Sequence, residues 1–177
     1  MFAMTADRLI AIQRASRWLL GFLIFMFVLS VWITLNEIAH PFPPGVRMLA
    51  GVGFQGAAIT GKIQILWLSQ LVLGAALNLK ILYHFMRLAA LFSKGKLFGV
   101  ENVAQLRQVG LTSVLVVVVW FAVLIGAAAE IIAAQDQWMK IMQSFPGGAL
   151  ICSIVFLFAS RLMNEARELR DEQDLVV

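Results

Sequence analysis

Residues that could carry chemistry are few in this chain, and most of them stand at the ends of long apolar runs. Glu37 and Glu130 each close such a run, and His40 and Asp136 follow a few residues later. Carboxylates together with an imidazole can bind a divalent cation or relay a proton. Because the four residues come from two separate loops, their spacing fixes no geometry, and we interpret them as solvated residues at a membrane boundary.

Signals for catalysis are weaker still. The sequence contains no G-x-x-x-x-G-K-[ST] P-loop, no dinucleotide fingerprint, no H-E-x-x-H motif and no G-x-S-x-G motif. Its single cysteine, Cys152, lies within an apolar run, so the chain has no disulfide framework. We therefore predict that the protein is not an enzyme and has no catalytic residue, no cofactor and no metal site.

Amide side chains interrupt the second apolar run at Gln64, Gln70 and Asn78, and Thr112 and Ser113 begin the third. At membrane depth such side chains usually form hydrogen bonds between helices, and each bond contributes about 0.6 to 2 kcal/mol. The alternative is that they line a permeation path. Gln64, Gln70 and Asn78 are therefore candidate intramembrane polar positions.

The elements that position these residues are long apolar segments, and the composition places them in a membrane. Apolar residues make up 61% of the 177 residues and charged residues only 14%, with a mean hydropathy of +0.87; a water-soluble domain of this size needs a more polar surface. A spanning helix needs roughly 20 mostly apolar residues. We predict an all-α fold, an integral membrane bundle of four transmembrane helices in a single domain. The spans lie at about 18–38, 63–86, 106–130 and 145–163, and a tail follows at 164–177.

Basic residues are distributed unequally between the two sides of this topology. Three of the 14 Lys and Arg residues fall in the loops that join spans one and two and spans three and four, at Arg47, Lys62 and Lys140. The other eleven fall in the N-terminal segment, the loop between spans two and three, and the tail: Arg8, Arg14, Arg17, Lys80, Arg87, Lys94, Lys96, Arg107, Arg161, Arg167 and Arg170. Because short cytoplasmic loops are enriched in Lys and Arg, both termini are predicted to be cytoplasmic.

The loop between spans two and three carries a basic set that is a candidate lipid or partner contact: Lys80, His84, Arg87, Lys94 and Lys96. Its first three members are spaced i, i+4, i+7, which places them on one helical face where the second span leaves the bilayer. Anionic headgroups on the cytoplasmic side attract such residues by about 1 kcal/mol each. Topological anchoring explains them without a specific partner, and their position at membrane boundaries argues against direct binding of nucleic acid.

The two ends of the topology differ in character. The segment 39–62 is rich in proline and glycine and is predicted to be a loop. Its apolar residues indicate that it lies against the membrane surface or packs over the helices. The tail is predicted to continue the fourth span as a charged helix, with the i, i+4 pairs Arg161–Glu165, Arg167–Asp171 and Arg170–Asp174. It is either a solvated helix or a docking surface for another chain.

The inner loop also resembles a family. The run from Lys94 to Gly110 is similar to the inner-loop signature of bacterial membrane proteins catalogued as domain of unknown function 2975, at Gly95, Phe98, Asn102, Leu106 and Gly110. The ending, from Glu165 to Val177, is similar to that family's acidic tail. The resemblance implies a small four-span protein of the bacterial inner membrane without an established activity, and a regulatory role beside small helix-turn-helix proteins.

Two functions are therefore expected. The first is a non-enzymatic inner-membrane protein that senses, scaffolds or regulates through its basic inner loop and charged tail, with membrane lipids and a cytoplasmic regulatory protein as partners. The second is a small transporter or channel, which would act as a homo-oligomer because four helices with so few polar faces enclose little water.

Overall fold

The computed structural model shows four long helices and one short two-stranded sheet. It describes residues 6–39, 46–49, 52–55, 61–95, 99–128 and 145–175. In chain order the elements are α1 (Ala6–Ala39), β1 (Val46–Leu49), β2 (Val52–Gln55), α2 (Gly61–Ser93), α3 (Val100–Gly126) and α4 (Gly147–Leu175).

All four helices are long and apolar enough to cross a membrane. The apolar stretches run over Ile10–Asn36, Gly61–Ser93, Val100–Gly126 and Gly147–Leu169. The shortest has 23 residues, about 35 Å of helix against a hydrocarbon core of about 30 Å. The predicted all-α fold with four such helices is confirmed. The valine-rich run Val116–Val119 lies inside α3, because an isolated segment in lipid satisfies its backbone only as a helix.

Extensive packing joins successive helices: α1 lies against α2, α2 against α3, and α3 against α4. α3 is therefore the most enclosed helix, and its buried residues include Leu106, Val109, Val117 and Val123. Of the four described helices α1 is the least enclosed, since the most apolar window of its span has no buried residue. Many of its large apolar side chains are exposed, such as Trp18 at 78%, as expected of a helix with lipid around it.

The contact between α3 and α4 depends on a glycine. A Cβ atom at Gly110 would lie 2.7 Å from Cγ of Leu157 and 3.2 Å from its backbone nitrogen. Small residues allow such close approach between membrane helices. Ser153 and Ser160 are buried on α4, and each hydroxyl donates to a carbonyl three residues earlier, so the helix satisfies these groups itself.

The connection from α2 to α3 turns at Gly95, whose φ is +76°. Backbone N–H groups of Lys94 and Gly95 donate to the carbonyls of Leu91 and Phe92 at 3.1 and 2.9 Å, which closes the end of α2. Glycine is favoured there because residues with a Cβ rarely adopt positive φ. α3 then begins at Val100.

The prediction of an irregular loop between α1 and α2 was wrong for β1 and β2. They pair antiparallel, from Val46 opposite Gln55 to Leu49 opposite Val52. The prolines and glycines that exclude a helix do not exclude strands, because Val46, Val52 and Phe54 are residue types that favour them. β1 packs against α2, which confirms that part of this segment lies over the helices.

α4 continues without a break from the apolar stretch into the charged tail, as far as Leu175. This confirms that the tail extends the fourth helix. Nε of Arg161 lies 3.4 Å from Oε1 of Glu165, so the first predicted ion pair forms. The side chains of Arg170, Asp171 and Asp174 lie outside the described part of the structure, and the other two pairs stay predictions.

Candidate functional site

The predicted basic set divides in the structure into exposed and buried members. Lys80, Arg87 and Lys94 are exposed, and the Arg87 guanidinium carbon lies 5.9 Å from the centre of the Tyr83 ring. Lys96 lies outside the described residues. His84, however, is only 9% exposed, so it faces α3 while its predicted companions face outward.

His84 forms a polar contact between α2 and α3. Its Nδ1 lies 2.7 Å from Oε1 of Gln105, and because an amide oxygen only accepts hydrogen bonds, the ring donates from Nδ1. Nε2 is buried with no hydrogen-bond partner among the residues described. The Tyr83 ring packs edge-on to the imidazole, with 5.5 Å between centres.

One face of α3 extends this contact. Asn102 is fully buried, and Leu106, Val109, Gly110 and Ser113 follow it on the buried side of the helix. Residues spaced by three and four share one helical face, so the spacing of Asn102, Leu106 and Gly110 by four reflects the packing of α3. The sequence drew attention to these three only through the family resemblance. The sequence did not single out Gln105 as a partner of His84. Its position one turn after Asn102, on the same side of α3, was the signal that could have indicated it.

A polar cleft lies between α1 and α2. Its volume is about 300 Å³, and it is lined by Ser30, Thr34, Trp67, Gln70, Leu71, Gly74, Ala75 and Asn78. Two of the three predicted intramembrane polar residues, Gln70 and Asn78, are brought together here with Ser30 and Thr34 of α1. Gln64 is exposed near the start of α2 and does not line this cleft.

A second cleft of about 230 Å³ lies on the opposite side of Asn78, between α2, α3 and α4. Ser113 contributes a polar group to it, and the rings of Phe85 and Phe156 pack edge-on at its wall, 5.1 Å apart. Asn78 therefore stands between two clefts, close to the middle of α2.

The carboxylates and histidine that the sequence offered as a cation or proton site fall on side chains that the structure does not describe. His40, Glu130 and Asp136 lie outside the described residues, as does the side chain of Glu37. Within the described ranges no group of three His, Cys, Asp or Glu residues comes together as a metal site. The residues lining the α1–α2 cleft are all uncharged, so its chemistry is hydrogen bonding.

Comparison with known proteins places the sequence of this chain in a family. No curated protein and no solved structure matches the chain. The model of the family described as protein of unknown function (DUF2975) matches residues 20–177, which include α2, α3, α4 and most of α1. Four of the five inner-loop residues that carry the resemblance are described: Gly95 lies in the turn, Asn102 and Leu106 in the buried face, and Gly110 at the helix crossing. The fifth, Phe98, lies outside the described residues. The chain belongs to the DUF2975 family.

Proposed function

We propose that this chain is a non-enzymatic, multi-pass protein of the bacterial inner membrane that senses, scaffolds or regulates. Both termini are cytoplasmic in this proposal, and a cytoplasmic protein docks on the tail. The observation that carries it is the unbroken course of α4 from Gly147 to Leu175. A continuous helix is stiff over this length, so a change at the α3–α4 contact reaches the tail without passing through a flexible joint.

The surface of the tail helix supports docking. Arg161 and Glu165 are strongly exposed, and Leu169 one turn later is 60% exposed. Nδ2 of Asn164 donates to Oε1 of Glu168 at 2.7 Å, which fixes both side chains on the helix surface. An exposed leucine among ordered charged and polar groups resembles the centre and rim of a protein interface.

The exposed members of the basic set support the orientation. Lys80 and Arg87 are exposed on the second half of α2, and Lys94 is exposed on the turn that follows it. Anionic lipids of a cytoplasmic leaflet attract each of them by about 1 kcal/mol. This attraction anchors the inner end of α2, and it requires no protein partner at these positions.

The test is capture of a tail-bound protein by the full chain in its native membrane. Chains carrying an N-terminal tag are crosslinked in membranes and purified. We expect a specific cytoplasmic protein to accompany the intact chain and to be lost when residues 164–177 are deleted. Leu169→Asp should weaken capture by about 2 kcal/mol, a loss of roughly thirtyfold, because it removes the apolar centre of the docking surface.

Glu172→Gln is the matched control, since this exposed rim position should leave capture nearly unchanged. The same set of proteins on the intact and the deleted chain would contradict the proposal.

A further inference from the structure

The α1–α2 cleft has the size of a small binding site. Its volume of about 300 Å³ lies at the lower end of the range of roughly 300–1,000 Å³ that ligand sites occupy. Gly74 and Ala75 leave room where larger side chains would fill the space. A Cβ atom at Gly74 would meet no atom within 4 Å, so the two helices do not close on each other at this level.

The cleft carries hydrogen-bonding groups within the apolar segment between Lys62 and Lys80. Gln70 lies 10 residues, about 15 Å of helix, before Lys80, and Asn78, which is exposed, lies two residues before it. The Thr34 hydroxyl donates to the carbonyl of Ser30 at 2.9 Å, which leaves its oxygen able to accept. A polar group left without a partner in hydrocarbon costs several kcal/mol, so the Asn78 amide and the Thr34 oxygen favour an occupant that can form hydrogen bonds.

The occupant must also be uncharged. The eight lining residues include no acidic, basic or histidine side chain, and an ion held there would lose its hydration without a compensating charge. The same feature disfavours an ion path along this face. Leu71, Gly74 and Ala75 supply apolar wall beside Gln70 and Asn78, so the site suits a molecule with a hydrocarbon body and a neutral polar end.

Access to the cleft is from the bilayer. Its lining comes only from α1 and α2, and in the described ranges α1 packs extensively against α2 alone among the helices. We propose that the α1–α2 cleft binds an uncharged amphiphile from the membrane, whose carbonyl or hydroxyl groups bond to Gln70 and Asn78. Neutral glycerolipids and long-chain quinones both have this chemistry. The proposal does not depend on the docking role of the tail.

The experiment is photolabelling of the purified full chain in vesicles. The probe is a 1,2-diacylglycerol with a diazirine in one acyl chain, and adducts are mapped by mass spectrometry. We expect adducts on α1 and α2 around the cleft, displaced by unlabelled diacylglycerol or by a long-chain quinone; the more effective competitor identifies the source. Phosphatidate, which has the same body and a charged end, should displace much less.

Two pairs of variants make the test specific. Gly74→Leu fills the cleft and should lower labelling about tenfold, whereas Gly21→Leu adds the same side chain where a Cβ also meets no atom within 4 Å and should leave labelling unchanged. Asn78→Leu should lower labelling, and Gln64→Leu should not.

Equal labelling of Gly74→Leu and Gly21→Leu would overturn the proposal. So would equal displacement by phosphatidate and diacylglycerol, because it would remove the requirement for a neutral end. Crosslinks that join two copies of the chain through the cleft, in place of lipid adducts, would assign the cleft to self-association and would also overturn it.

Discussion

At the scale of the residue, His84 differs from Lys80 and Arg87 because it faces α3, where its Nδ1 lies 2.7 Å from Oε1 of Gln105. Lys80, His84 and Arg87 share a helical face within about 60° at 100° per residue. His84 lies at the edge of that face nearest the buried Leu88, and the boundary between packed and exposed surface runs between His84 and its companions. That boundary is set by the position of α3, which the pattern within α2 does not contain.

Gly110 gives a prediction at the same scale. Gly110→Ala should lower the free energy of unfolding by about 1–3 kcal/mol, because its Cβ would lie 2.7 Å from Cγ of Leu157. Unfolding of the purified protein in detergent measures the loss. Gly148→Ala is the control, since a Cβ there meets no atom within 4 Å. A cost that does not shrink when Leu157→Ala is added would contradict the packing explanation.

At the scale of the element, the apolar runs predicted the helices because lipid leaves an isolated span no other way to satisfy its backbone. The same reasoning does not apply outside the bilayer. There, β1 and β2 form by pairing with each other and by packing of β1 on α2, which local glycine and proline content does not predict. The two clefts beside Asn78 could not be predicted from the sequence either, because each is a gap whose size depends on how neighbouring helices pack.

The α2–α3 turn should depend on the backbone of Gly95. Gly95→Ala should cost about 1–2 kcal/mol, because φ of +76° is unfavourable for a residue with a Cβ. Gly95→Asn should cost less, since asparagine tolerates this region better. Thermal unfolding in detergent measures both.

Nε2 of Gln13 lies 3.0 Å from the position of that Cβ, so the Gly95→Ala measurement is repeated with Gln13→Ala. A penalty that disappears in this background would show that contact with Gln13, and not the backbone, explains the cost.

At the scale of the whole molecule, the proposed orientation in the membrane comes from the distribution of basic residues, and the arrangement of the helices comes from their packing. The eleven-to-three division of basic residues depends on counting four crossings, and the structure has four helices that can make them. The order in which helices pack could not be read from the charges, because every arrangement of four antiparallel helices places the same loops on the same sides.

The orientation is tested with an impermeant maleimide on intact cells. Cys152 is exposed on α4, so the background is Cys152→Ala. Gly61→Cys and Gly148→Cys, at the proposed outer ends of α2 and α4, should react in intact cells. Lys94→Cys and Glu172→Cys should react only after permeabilisation, because both lie on the side rich in basic residues. Reaction of Glu172→Cys in intact cells would contradict a cytoplasmic tail.

The sequential packing of the helices has a consequence for biosynthesis. Each of the described helices after α1 packs extensively on the helix immediately before it in the chain, so α2 can dock on α1, and α3 on α2, while later residues are still being made. Contacts between neighbours in sequence close short loops and form quickly. The polar contact between His84 and Gln105 joins residues only 21 apart, so its buried groups meet as soon as α3 enters the membrane. This polar pair can therefore form before the last helix is inserted.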